Sequence, residues 1–345
     1  MKADRFSGTR WRKRRQPFLT IFVAALLATI TAGVAHSAVS PRSTHSQAPG
    51  DPHVLQTLVM GDSYSAGNGA GGYVDVNSGC WRSPNNYGGQ YRNIMEAAPN
   101  NQPTSVNIIA CSGDRTNDVL HPSALLRGHR PPQLAVLKNA HYDVIFLTIG
   151  GNDLKFDTVI KFCMIDISRI SNQCDRALKF AERQLTKPSP TLFSPIEVKI
   201  ATVLRQVAKF ANTDAKIVLV GYPLLEGDVG YQLLTGASPL HRRAIPPPIL
   251  VGQRVRAGGT TLDDQEAEIV DTLNAGNLNP QFAFESVQAM FEGPPDHELH
   301  AGAAQVNPIR WMMKPFVDNE PPNFDLPNFG FNFYHPNPTG WLMEA

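Results

Sequence analysis

Residues 55–64 read Leu-Gln-Thr-Leu-Val-Met-Gly-Asp-Ser-Tyr. The run 55–60 has the length and apolar character of a buried strand, and Gly61-Asp62-Ser63-Tyr64 follows it directly. A serine hydroxyl therefore stands where a strand leaves its sheet, which is where α/β hydrolytic enzymes hold a nucleophile. Taken alone the tetrad says little, because serines after strands commonly serve as turn residues or helix caps.

Three later segments repeat the arrangement. The β-rich run 106–110 is followed by Cys111-Ser112-Gly113-Asp114, and the run 143–148 by Ile149-Gly150-Gly151-Asn152-Asp153. Tyr334-His335-Pro336-Asn337 stands near the end. Strand-like runs at 55–60, 106–110, 143–149, 216–221 and 282–287 alternate with helical patterns near 86–97, 131–139, 195–212 and 262–275. That alternation predicts one α/β domain with a central parallel sheet covered on both faces. The segments carrying Ser63, Gly113 and Asn152 then lie beyond the carboxyl ends of the first three strands, where open α/β sheets bind ligands.

Serine, glycine, asparagine and histidine in this order, in these surroundings, resemble the SGNH or GDSL-type hydrolases, a family of esterases and lipases. The motifs that carry the resemblance are Gly-Asp-Ser-Tyr-Ser-Ala-Gly at 61–67, Gly-Gly-Asn-Asp at 150–153 and His-Pro-Asn at 335–337. Cys-Trp-Arg-Ser-Pro-Asn-Asn-Tyr at 80–87 is similar to the secreted actinobacterial branch. The likeness runs from about residue 54 to residue 340. It implies a three-layer α/β/α domain of flavodoxin-like topology, a secreted ester hydrolase, no cofactor and no metal. It also implies Ser63 as nucleophile, His335 as base, and the N–H groups of Ser63 and Gly113 with the Asn152 amide as the oxyanion hole.

The chemistry requires these residue types. A serine hydroxyl attacks a carbonyl only if a base takes its proton and later returns it to the leaving alcohol, and imidazole serves both steps. Prepositioned N–H donors then stabilise the charge that develops on the carbonyl oxygen. Glycine at 113 is expected so that the backbone approaches without a Cβ in the way. The family usually carries aspartate three residues before the histidine, but here that position is Asn332. Either the Asn332 amide orients the ring or a main-chain carbonyl does so in a Ser–His dyad; the dyad is the expectation here. Asp318 and Asp325 lack the required spacing and read as solvated loop acids.

The amino terminus indicates export. Seven basic residues and one acid precede an uncharged, largely apolar stretch from residue 18 to about 34, followed by small residues at 35–38. This is the pattern of a signal peptide over 1–38, with an uncleaved anchor as the alternative. Arg14-Arg15 hints at twin-arginine export, although Pro17 displaces Phe18 by one place. Residues 39–53, rich in Ser, Pro and small polar residues, read as a flexible linker, leaving 54–345 as the hydrolase domain. The whole chain carries +1 and the leader about +6, so the remainder carries about −5. A chain of that sign lacks the basic footprint a nucleic-acid binder needs. The expected partner is a small-molecule or lipid acyl ester, met by a monomer.

An exported chain with four cysteines suits disulfide pairing. Three pairings exist; Cys80–Cys111 and Cys163–Cys174 are expected, the second closing a short loop. No Cys-x-x-Cys suggests zinc. Several other patterns carry no function. Gly67-x-Gly69-x-x-Gly72 matches a dinucleotide fingerprint but lies well past the strand end, and His297-Glu298-Leu299-His300 has one residue too few between its histidines for a zinc protease. Asp263, Asp264, Glu266 and Glu268 read as acids at a helix start. The Pro-rich segment 225–259 is either an acyl-binding rim or an ordinary surface excursion. A non-catalytic binding module on a degenerate hydrolase scaffold is the alternative to an enzyme.

Overall fold

The computed structural model describes residues 53–345 except 75, 124–129, 165–170, 226–231, 234–248, 277–278, 294–297 and 299–333. The expected leader, nearly all of the linker, Asp318, Asp325 and Asn332 lie outside the described residues, as do both histidines of the 297–300 motif.

The first half of the chain runs β1 (Leu55–Gly61), α1 (Ser63–Ala66), α2 (Tyr87–Glu96), β2 (Thr104–Ile108), α3 (Thr116–Leu120), a 3-10 turn (Gln133–Lys138), β3 (Val144–Thr148) and α4 (Phe156–Val159). A π turn (Ile160–Met164) leads to α5 (Ser171–Leu185), α6 (Pro195–Phe210), β4 (Lys216–Val220) and the short pair β5 (Gln232–Leu233) and β6 (Ile249–Leu250). Then come α7 (Val251–Ala275), β7 (Gln281–Glu285), α8 (Gln288–Glu292) and α9 (Pro338–Met343).

Five strands form one sheet in the order β2-β1-β3-β4-β7, and every pairing in it is parallel. Leu58, Val59 and Met60 are consecutive in β1 and all fully buried. Successive strand residues point to opposite faces, so layers cover both sides of the sheet, and β1 therefore reads as a continuous apolar run without alternation. This is the expected α/β architecture, with the order reversing around β1.

The helices follow local signals where those are strong. At α6, Ser194 caps the first turn, Glu197 completes a capping box, and Pro195 occupies a position whose N–H needs no partner. Its residues Ile196, Ile200, Val203, Leu204 and Val207 recur at helical spacing and are all fully buried. Weak local signals hid α7, which begins at Val251 and not near 262. Gly258-Gly259-Thr260-Thr261 are poor helix formers, and the helix is held by its buried face, Val251, Val255, Leu262 and Ile269. The acids expected at a helix start therefore lie well inside it. Glu266 is fully buried, and among the described residues neither of its carboxyl oxygens has a hydrogen-bond partner.

One further reading changes: the pattern at 131–139 forms a 3-10 turn and not an α-helix. Cys163 of the π turn pairs with Cys174 of α5, 11 residues on, as expected. The other pair is Cys80–Cys111.

Candidate active site

The site begins with a glycine at the end of β1. Gly61 has φ +119°, and a Cβ there would stand 2.1 Å from the Thr148 carbonyl oxygen of β3, so only glycine lets the chain turn this close to its neighbour. Asp62 then caps α1, its carboxyl accepting from the Tyr64 N–H at 3.0 Å. Ser63 is the first helical residue, buried but not sealed, with Oγ 2.8 Å from Nε2 of His335.

His335 arrives from 272 residues away and is fixed by its neighbours. Tyr334 has φ +62°, a left-handed conformation costly for a bulky side chain, which persists because its surroundings hold it. One such restraint is the Tyr64 hydroxyl, which donates to the Tyr334 carbonyl. The Tyr64 ring lies against the imidazole with centroids 4.5 Å apart. On the other side Asn337 caps α9, and the buried Trp341 donates its indole N–H to the Asn68 carbonyl at 3.1 Å. Both flanks of His335 are thereby tied to the segment that begins at Ser63.

The second segment is joined to the first by the Cys111 N–H, which donates to the Gly61 carbonyl at 3.0 Å, and by the Cys80–Cys111 bond. Gly113 has φ +84°, while a Cβ there would meet nothing within 4 Å. Its backbone conformation by itself favours glycine. Among the described residues the N–H groups of Ser63 and Gly113 are not given to any other protein group. Gln133 locks the two segments together. Its carbonyl accepts from the Gly61 N–H at 2.8 Å, and its amide donates to the Gly61 carbonyl at 2.8 Å and to Asp114 at 2.7 Å. Arg130 neutralises Asp114 from the other side at 2.5 Å.

The third segment joins through the Asp62 N–H, which donates to the Thr148 carbonyl at 3.0 Å. Asn152 donates one amide hydrogen to the Asp114 carbonyl at 2.9 Å, leaving the second for another acceptor. Asp153 accepts from the Thr116 backbone and hydroxyl and pairs with Lys199, a bracing role. The segments carrying Ser63, Gly113 and Asn152 are therefore joined by hydrogen bonds through Gly61, Asp62 and Asp114, and His335 is bonded to Ser63.

Two residues beneath the site were not singled out from sequence. The Tyr222 hydroxyl donates to Asp62 at 2.6 Å and accepts from the Gly151 N–H at 3.0 Å, linking the residue before Ser63 to the residue before Asn152. Its position just past β4 is the signal that could have found it. Gln133 lies in a short 3-10 turn, and no local pattern marks it. Burial raises the Asp62 carboxyl to about 7, against the lowering effect of its bonds from Tyr222 and the Tyr64 N–H.

An apolar cavity of ≈ 90 Å³ adjoins this network. Its inner end is built by Gly151, Leu154, Phe156 and Tyr222, and Phe156 also packs edge-on to Tyr64 and His335. Leu225 and the start of α7 line it as well, so the ends of the segment 225–259 border the cavity, while its Pro-rich middle lies outside the described residues. Glu298, from the 297–300 motif, is buried and paired with Arg256 at 2.7 Å, not solvated as expected. Among the described residues no group of three or more His, Cys, Asp or Glu is arranged to hold a metal.

Residues 59–340 match the model of the GDSL-like Lipase/Acylhydrolase family. The chain belongs to that family. It is an ester hydrolase, and its relatives agree. It is 27% identical over 271 residues to a lipase of Streptomyces rimosus, covering 76% of this chain and 81% of that one. It is 26% identical over 309 residues to lipase 1 of Streptomyces coelicolor, covering 87% and 90%. The crystal structure of the extracellular S. rimosus lipase superposes with a TM-score of 0.54 at 24% identity, covering 84% of this acylhydrolase and 95% of that chain. Phospholipase A1 from Streptomyces albidoflavus also superposes at 0.54, with 21% identity over 84% and 95%. At such identities the structural likeness speaks for the fold.

Proposed function

We propose that this acylhydrolase is exported and cleaves lipid esters through a covalent acyl-enzyme formed on Ser63. The observation that carries the reading is the 2.8 Å contact between Ser63 Oγ and His335 Nε2. As Oγ attacks the ester carbonyl carbon, its proton passes to Nε2, and the carbonyl oxygen becomes a tetrahedral oxyanion. The Ser63 and Gly113 N–H groups and the remaining Asn152 amide hydrogen stabilise that charge. The imidazolium then protonates the alkoxide as the C–O bond breaks, and the alcohol leaves. Water, deprotonated by the same imidazole, releases the carboxylic acid and restores Ser63.

An aliphatic acyl group suits the apolar cavity beside Phe156. Export rests on the basic, then apolar, amino terminus, and the relative described as an extracellular lipase supports it. On this reading 1–38 is the leader, 39–53 the linker and 54–345 the catalytic domain. The test is an alkyl fluorophosphonate, which should label Ser63 covalently, while Ser63→Ala should lose both labelling and turnover of a chromogenic acyl ester. Undiminished labelling of the variant would refute the assignment.

A further inference from the structure

The apolar cavity lies between the facing sides of α5 and α7. From α5 it takes Leu178, Ala181 and Leu185, and from α7 it takes Val255, Gly258 and Leu262, each set at helical spacing. Two helices facing each other with such rows normally interdigitate and leave no void. The gap persists where small residues stand, and α7 supplies two adjacent glycines to it.

Those glycines have different physical origins. A Cβ on Gly259 would stand 2.8 Å from Cδ2 of Leu224, so packing accounts for that glycine. A Cβ on Gly258 would find only Cδ1 of Leu185, at an ordinary contact distance of 3.7 Å, and its φ is not in the left-handed region. Neither clash nor backbone conformation requires glycine at 258. Glycine in a helix interior is destabilising relative to alanine, so the fold alone gives no reason for it. The space it keeps open is cavity.

The part-exposed side of the cavity is crossed by an ion pair. Arg254 of α7 grips Glu182 of α5 with two bonds, at 2.6 and 2.9 Å, and reaches Asp175 at 3.0 Å. This fork joins the two helices whose faces make the walls, so charged lining residues hold the helices together beside the apolar ones.

We infer that Gly258 sets the width of an acyl-chain channel between α5 and α7, so that the side chain at 258 decides which chain lengths this acylhydrolase accepts. The inference rests on the esterase reading of Ser63 and deepens it, the substrate class being esters of unbranched acids long enough to pass Phe156 and reach α7. On this inference an octanoyl chain extends to residue 258 and an acetyl group stops short of it. A side chain there therefore acts on the long ester in preference to the short one.

The experiment compares kcat/KM for octanoyl and acetyl esters of one alcohol in the parent, Gly258→Ala and Gly258→Leu. One methylene in an apolar pocket is worth ~10-fold or more, so Gly258→Leu should lower the octanoyl-to-acetyl ratio at least ~10-fold, and Gly258→Ala by less. Gly258→Ala should at the same time raise the melting temperature, because helix propensity improves without a clash. An unchanged ratio in either variant overturns the inference, as does an equal loss of both esters in folded protein. If Gly258→Leu does not fold, Gly258→Ala decides. Calorimetric binding of octanoate gives a reading independent of catalysis: the parent should bind it, and the variants should bind more weakly in the same order. If octanoate binds in this way but no ester is turned over and fluorophosphonate labels nothing, the channel stands and the Ser63 reading fails. Absence of octanoate binding by a parent that hydrolyses acetyl esters refutes the channel and leaves Ser63 in place.

Discussion

The hydroxyl of Tyr222 donates to the buried carboxyl of Asp62 at 2.6 Å while accepting from the Gly151 N–H at 3.0 Å. One phenol thus holds the residue before Ser63 at a fixed separation from the residue before Asn152. Ser63 and Asn152 come from different strand ends, so their relative position depends on such a bridge.

Tyr222→Phe keeps the ring and removes the bridge. It leaves the buried Gly151 N–H without a partner, which should cost about 1–3 kcal/mol of stability. Loosened geometry between Ser63 and Asn152 should lower kcat by between about 10- and 100-fold. Thermal denaturation together with steady-state kinetics checks both, and an unchanged kcat would remove Tyr222 from the positioning of the site.

Asn152→Ala should lower kcat by roughly 10²–10³ with a smaller effect on KM, because an oxyanion donor acts on charge present mainly in the transition state. A change confined to KM would assign Asn152 to substrate binding instead.

The ring of His335 is expected to be oriented by a main-chain carbonyl and not by Asn332. Asn332→Ala should then retain most activity, whereas His335→Ala should approach the loss produced by Ser63→Ala. If the amide were the orienting group, Asn332→Ala would be strongly impaired and Asn332→Asp more active than the parent. Parallel rates for the four folded variants separate these outcomes.

Glu266 offers a test by pH. It is fully buried, its oxygens lack partners among the described residues, and burial followed by the nearby Asp263 and Asp62 carboxylates raises its pKa well above the ordinary 4.5. Below about 4.5 folded and unfolded chains both hold the proton; above it the unfolded chain releases the proton while the folded one keeps it. Stability attributable to this residue therefore falls as pH rises from the unfolded towards the folded pKa, by up to ~1.4 kcal/mol per pH unit. Glu266→Gln should remove that slope, leaving a variant similar to the parent near pH 4 and more stable at pH 8. Urea denaturation at both pH values measures it; equal stabilities at pH 8 would show that Glu266 gains a partner.

Much of this protein is written in short stretches of sequence. The runs that became the inner strands β1, β3 and β4 are apolar because both sheet faces are covered there, and a buried strand needs no contact pattern beyond its own composition to be recognised. Ser63, Gly113 and Asn152 could be placed at strand ends for the same local reason, and Ser194 and Pro195 announced α6. What the local pattern could not reach depends on contacts between distant residues. Nothing near Gly258-Gly259 predicts a helix, because burial of Val251, Val255, Leu262 and Ile269 on one face overrides poor propensity. Nothing near Glu266 predicts burial, since its acidic neighbours suggest a solvated helix start. Gln133, Tyr222 and the 2.8 Å approach of His335 to Ser63 join segments 72, 160 and 272 residues apart. Composition and periodicity thus determined which layers this chain builds and which residues stand at their edge, and only the folded arrangement of those layers decided which side chains meet there.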